Sequence, residues 1–378
     1  MSALKFKLAY RNLFHDRLRF VATIVGIVFS IVLVTVQAGL YVGFRRMVTT
    51  MIDHSPADLW IMPAGTKCFE DPSLLDDRQR FRALAIEGVV DAAPLVIGYA
   101  QWRLPSGTTT PVFIVGSELQ GFGVRPWNLV AGRVEDLSIP DAVAIDQSYS
   151  ERLGVSATGA NAEIRDQRVQ VAAMTRGIRS FTTTPYVFAG VDRARAYTGM
   201  APNKASYFLV RVSPDADAGK VRRQLRESLS DVEVLTAAEF RSRSRNFWLF
   251  GTGAGAALFA GALLGLIVGT VIVAQTLYSS TKDHLSEFAT LRAIGSSSRY
   301  IYMVIVWQAL LSAIVGFIGA AGISAIVVRM TAESALAVVV TPGMTFALFL
   351  LTGAMCVASA IAAIVQVMRI DPTTVLAR

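Results

Sequence analysis

NFWLFGTGAGAALFAGALLGLIVGTVIVAQTLYSST, residues 246–281, contains no Asp, Glu, Lys, Arg or His. A bilayer core of about 30 Å is crossed by roughly 20 helical residues, so this run is long enough to span one. Three more charge-free runs, 20–44, 300–328 and 334–368, meet the same test. The chain is 53% hydrophobic and 17% charged, well below the roughly 25% charge of a soluble domain. Four transmembrane helices are therefore predicted. A basic start (Lys5, Lys7, Arg11, Arg17, Arg19) precedes the first run, as in a signal peptide. Its apolar stretch exceeds the roughly 7–15 residues of a signal core, and no clear small-x-small site follows, so it reads as a span.

Working outward from these runs gives the domain plan. Residues 1–19 form a basic amphipathic lead-in, suited to the membrane surface. Residues 20–44 are span one. Residues 45–245 are a polar insert large enough for its own core. Span two (246–281), a connector (282–299), span three (300–328), span four (334–368) and a tail (369–378) follow. Short basic segments set orientation. The start, the connector (Lys282, Arg292, Arg299) and the tail (Arg369, Arg378) fall on the cytoplasmic side, while Arg329 in the opposite loop is balanced by Glu333. The insert is then extracytoplasmic. The net charge of +8 does not mark a nucleic-acid binder, because 25 of the 36 Lys and Arg lie scattered among acids in the insert.

Within the insert, ADLWIM (57–62), 89–104, SYFLVRV (206–212) and VEVLT (232–236) read as strands, with helices over 73–86 and 215–229. Two β-α-β units of this kind pack as one split sheet with helices on one face. Residues 105–200, richer in Gly, Pro and Thr, read as a second, β-rich lobe inserted into the first. The fold class is an α-helical membrane protein with four spans plus this large α+β domain. GIRSFTTTPYVFAG (177–190) allows two readings: a surface that contacts substrate or partner, or an ordinary strand and turn. Its composition favours the second.

No chemistry is written in the usual motifs. There is no Walker A loop, no H-E-x-x-H and no G-x-S-x-G. Two cysteines (Cys68, Cys356) and three isolated histidines give no disulfide framework or metal spacing. No catalytic residue, metal ligand or cofactor of the chain's own is expected. Charge-free spans also argue against an ion-coupled carrier. Gly261, Gly265 and Gly269 lie on one face of span two, where small residues let helices approach closely. They suit a homodimer seam or packing among the chain's own spans.

The connector between spans two and three contains EFATLRAIG (287–295). Leu285, Phe288, Leu291 and Ile294 form a drifting bulky stripe, with Ser286, Ala289, Thr290 and Ala293 opposite, and Gly295 supplies a helix stop. This pattern resembles the coupling-helix signature E-x-x-x-L-R-A-x-G of ATP-binding cassette permeases of the MacB/FtsX/LolC type. The resemblance extends over most of the chain. LAYRNLFHDRLRFVATIVGI (8–27) is similar to the family's lead-in and first span, and RIDPTTVLAR (369–378) to its closing R-x-D-P-x-x-x-L. Within the insert, ADLWIMPAGT (57–66), PWNLVAGR (126–133), PDAVAIDQSYSERLGV (140–155) and RSFTTTPYVF (179–188) resemble the DevC branch.

The resemblance implies a homodimeric inner-membrane permease with cytoplasmic termini, feeding a tripartite exporter. A separate DevA-type ATPase would bind ATP and Mg, since no ATPase region is fused here as in MacB. A DevB-type periplasmic adaptor and a TolC-like outer-membrane channel would complete the path. Glu287 and Arg292 would make polar contacts to the ATPase, Leu291 would dock beside Phe288, and Gly295 would end the helix. Two relatives by resemblance keep other functions open. One is FtsX-like signalling to an extracytoplasmic enzyme, and the other is LolC/E-like lipoprotein release.

Overall fold

The computed structural model describes residues 17–71, 74–104, 106–182, 184–283, 298–332 and 337–368. Helix α1 (Arg17–Met47) leads into the insert, which runs β1 (Leu59–Pro63), β2 (Leu75–Asp76), α2 (Asp77–Leu84), β3 (Val89–Arg103), β4 (Thr109–Ser117), β5 (Leu129–Ala131) and β6 (Ala142–Asp146). It continues with β7 (Asn161–Ile164), β8 (Gln167–Thr175), β9 (Tyr186–Gly190), α3 (Val191–Thr198), β10 (Lys204–Ala205), β11 (Tyr207–Val212), α4 (Ala218–Ser228), β12 (Val232–Thr236) and α5 (Ala237–Asn246). Three long helices follow: α6 (Ala254–Asp283), α7 (Ser298–Thr331) and α8 (Pro342–Met368). The chain divides into two compact units. One comprises residues up to Gly43, Ala256–Ala332 and the residues from Ala337 on, and the other centres on Phe44–Gly255.

Helices α1, α6, α7 and α8 are each long and apolar enough to cross a membrane. Two start later than the charge-free runs. Span two begins at Ala254 rather than 246, because Phe247–Gly251 form a π-helical turn and Gly253 takes φ +75°. That left-handed backbone breaks a helix and favours glycine. Span four begins at Pro342 rather than 334. Proline fits the first helical position and disfavours helix in the residue before it. The preceding segment instead packs its Val338 on Gly39 of α1, and Val339 N donates to Gly39 O at 3.1 Å.

The insert's main sheet has the order β12-β1-β11-β3-β4-β9-β6-β8-β5, with β7 beside β3 and β8. The first four strands are antiparallel neighbours built from the two β-α-β units at the ends of the insert. Their alternating apolar residues bury one face under α2 and α4 through Leu59, Ile61, Phe208, Val221 and Leu225. The opposite face closes over Trp60, Phe69, Tyr207 and Phe240 of α5. α5 starts with a capping box between Thr236 and Glu239, which satisfies two backbone donors.

The β-rich part over about 105–200 is not a separate sheet. β3 pairs β11 through residues 89–95 and β4 through residues 96–103, so one long strand belongs to both lobes. Its unbroken apolar middle is buried on both faces, as a central strand requires. The far lobe is mixed, with parallel β4–β9 and β6–β8 pairs. α3 covers it, and Gly116 lets the helix approach because any Cβ there would strike Ala194.

Candidate functional site

Glu287, Phe288, Leu291, Arg292 and Gly295 lie outside the described residues. Gly261, Gly265 and Gly269 lie inside them, in α6. A Cβ at Gly261 would meet Gln37 at 2.8 Å, one at Gly265 would meet Leu33 at 3.0 Å, and one at Gly269 would strike Ser30. Ser30 Oγ also donates to Gly265 O at 2.8 Å. All three partners belong to α1, so the glycine face packs inside the chain.

The segment 177–190 carries more than a strand and turn. Residues 186–190 form β9, while 177–182 lie outside strand and helix and are held at several points. Ile178 N donates to the buried Asp146 carboxylate at 2.7 Å, and Ser180 N donates to Tyr149 OH at 3.3 Å. With its base pinned to the far lobe, the loop carries Phe181 between two other aromatics. Phe181 meets Phe44 edge-on, with ring centroids 5.2 Å apart, and Trp248 at 4.2 Å. Phe44 sits in the last turn of α1, and Trp248 in the π turn just before α6. The residues that lead out of span one and into span two thus meet on one side chain of the β-rich lobe.

Below this wedge lies a buried carboxylate. Glu70 is 7% exposed. Trp248 Nε1 donates to its Oε2 at 3.0 Å, and Tyr186 OH donates to its Oε1 at 3.3 Å. Among the described residues no cation pairs with it. Burial raises the Glu70 carboxyl from an ordinary 4.5 to about 7, against the pull of the Trp248 and Tyr186 hydrogen bonds. Burial, reinforced by the Glu70 charge, pushes the Cys68 thiol up to about 12. Tyr207 OH donates to the carbonyls of Cys68 and Phe69 at 3.1 and 2.9 Å and fixes the loop that bears Glu70. Ser244 Oγ of α5 donates to Val48 O at 3.2 Å, one turn beyond Phe44.

This root is a clamp rather than a reaction centre. A neutral thiol, phenols and one carboxyl offer no activated nucleophile with its base. Among the described residues no group of three or more His, Cys, Asp or Glu is placed to hold a metal ion. What the arrangement can do is bind the two chain crossings to each other and to the sheet. Sequence reasoning did not single out Glu70 or Trp248, and it gave the loop around Phe181 its plainer reading. Residues 44, 70, 181 and 248 share no periodicity and meet only through the fold.

The layout defines a multi-pass membrane protein with one large domain strung between its first two spans and clamped at its root. Residues 20–228 match the MacB-like periplasmic core domain, and residues 247–372 match the FtsX-like permease C-terminal domain. The chain belongs to the MacB/FtsX-type permeases of ABC transporters. Permeases of this type work with ABC ATPase partners. An uncharacterized ABC transporter permease of Mycobacterium tuberculosis, found in strains CDC 1551 and H37Rv, is 27% identical over 320 residues, covering 82% of this chain and 83% of its own. Two solved structures are similar to the insert. The periplasmic region of MacB from Actinobacillus actinomycetemcomitans has TM-score 0.40 and 10% identity, covering 53% of this chain and 98% of its own. The extracellular domain of the transporter YknZ from Gram-positive bacteria has TM-score 0.35 and 14% identity, covering 48% and 99%.

Proposed function

We propose that this chain is the permease subunit of a tripartite exporter of the DevC branch, and that it works as a lever. In this reading two copies and two DevA-type ATPase subunits assemble in the bacterial inner membrane, with both termini cytoplasmic. ATP and Mg bind in the ATPase subunits. Their closure pushes the 282–299 connectors, the spans carry the motion, and the extracytoplasmic domains expel cargo through a DevB-type adaptor and a TolC-like duct. The DevC-like blocks of the insert support the branch. The observation that carries the lever is Phe181 held between Phe44 and Trp248, with Trp248 bonded to Glu70. A domain joined to two spans transmits force only if its attachments are stiff, and packed aromatics and buried hydrogen bonds supply that stiffness.

The test reconstitutes the full chain with its ATPase in nanodiscs and follows hydrogen exchange across the insert with and without ATP. In the wild type, ATP changes protection in β6 and β9. Phe181→Ala keeps ATP hydrolysis but loses most of that change. A wild-type insert that ignores ATP would sink the lever reading. Co-purification of a coiled-coil adaptor supports export, whereas a cell-wall hydrolase in its place would point to signalling.

A further inference from the structure

The membrane unit contains a cavity of about 330 Å³ between α1, α7 and α8. Its origin is legible in α7. That helix runs close to α1 at Gly316, where a Cβ would strike Ile27, and at Gly319, where a Cβ would meet Val28 at 3.1 Å. Beyond Gly319 the stretch GAAGISA (319–325) offers mostly small side chains. Ala321, Ser324 and Ala325 stand at i, i+3 and i+4, one face of the helix, and leave a slot where bulky residues would close it. Ile31, Thr35 and Leu348 floor the slot, and each is at most 6% exposed.

The slot runs along α7 from Phe317 to Arg329. At 1.5 Å per residue these twelve steps cover about 18 Å, slightly more than half of a bilayer core of about 30 Å. It is therefore about one leaflet deep. Its volume has room for about ten groups of ~30 Å³, the share of a water molecule in the liquid, which suits methylenes in a chain. Two polar features break the apolar lining. Arg329 stands exposed at the mouth and makes no ion pair among the described residues. Ser324 is 7% exposed, and its hydroxyl has no hydrogen-bond partner among the described residues. The mouth lies at the end of the bundle where 337–341 pack on Gly39 and Gly43, the end at which α1 runs on into the insert.

We propose that this slot binds one anionic glycerophospholipid from the leaflet on the insert's side of the membrane. An acyl chain fills the apolar groove, its ester carbonyl accepts from Ser324, and its phosphate rests on Arg329. Charge selects the headgroup, because an exposed guanidinium at headgroup depth favours a net anionic lipid. Depth selects the chain, because the groove ends near the bilayer middle. A lipid seated here would wedge α7 from α1 and so bias α7, the helix that follows the connector.

The full chain, purified in micelles, is given phosphatidylglycerol or phosphatidylcholine with identical acyl chains, and bound lipid is counted by native mass spectrometry. One phosphatidylglycerol per chain is retained preferentially. Arg329→Gln lowers that retention about fivefold, the effect of one cation near a membrane surface. Ala325→Phe abolishes it, while Ile326→Phe, at a 58% exposed position that does not line the slot, leaves it unchanged. Equal retention of both lipids, or no effect of Ala325→Phe, would overturn the proposal and leave only annular lipid. If Ala325→Phe instead changes the oligomeric state and not the lipid count, a second copy covers the groove and the proposal also fails. Should Ala325→Phe not fold, the surface substitution Arg329→Gln tests the proposal by itself: retention undiminished in that variant overturns it.

Discussion

Replacing Glu70 with Gln probes the clamp at a single atom. The amide keeps an acceptor for Trp248 and offers Tyr186 a partner, but it cannot ionise. Burial holds the native carboxyl at about 7, against 4.5 when unfolded. The sign follows from proton binding. Below about pH 4.5 both states are protonated and the carboxyl carries no penalty. Between 4.5 and 7 the unfolded chain releases its proton while the folded chain keeps it, so stability falls as pH rises. Above 7 the loss levels off. The gap between 7 and 4.5, at about 1.4 kcal/mol per pH unit, comes to about 3 kcal/mol.

Glu70→Gln removes this slope. At pH 5 the variant and wild type unfold within about 1 kcal/mol of each other, the worth of one altered hydrogen bond. At pH 8 the variant is the more stable by about 3 kcal/mol. For a domain of about 200 residues that is roughly 6–12 °C in unfolding midpoint. The assay is thermal unfolding of the full chain in detergent at pH 5, 6.5 and 8, followed by tryptophan fluorescence. Taking the difference between variant and wild type cancels every other titrating group. A difference that does not change with pH, or a variant weaker than wild type at pH 8, would refute the reasoning.

Two further substitutions test the ends of the machine. Gly269→Leu drives a side chain into Ser30, and overpacking of this kind costs about 1–3 kcal/mol. It should broaden the gel-filtration peak, while Gly353→Leu, where nothing lies within 4 Å, should not. Leu291→Asp puts a charge on the bulky stripe of the connector, and pull-down of the ATPase partner should drop at least tenfold with the permease still folded. Unchanged binding would show that this residue does not dock the ATPase.

The four spans were legible because membrane burial is a bulk property, and a charge-free run states it residue by residue. The two end units of the insert were legible as well, since 206–212 and 232–236 are rich in β-branched and aromatic residues and 215–229 carries helical spacing. The single continuous sheet was not. β3 looks like one long strand in the sequence, and nothing in Val89–Arg103 says that its halves take different partners. Span starts were misread for a related reason. Phe247, Trp248 and Leu249 are apolar whether they face lipid or a protein core, and hydropathy cannot tell these apart. Leu249 is 2% exposed inside the insert unit, which places these residues with the domain. Glu70 is the hardest case, because one acid in CFED (68–71) is an ordinary surface residue until the fold buries it.

These misread residues are the ones the lever reading needs. A domain strung on two chain crossings would swivel if each crossing were a free loop. Here the first crossing is tied through Val48 to Ser244, and the second through Trp248 to Glu70. Phe181 then touches both crossings from a loop anchored at Asp146 and Tyr149. The helix break lies beyond this clamp, at Thr252 and Gly253, where the π turn ends and Gly253 takes φ +75° before α6 begins. On the proposed function, stiffness belongs on the insert's side of that break and freedom at it. A push along α6 would otherwise be spent bending the root instead of moving the sheet.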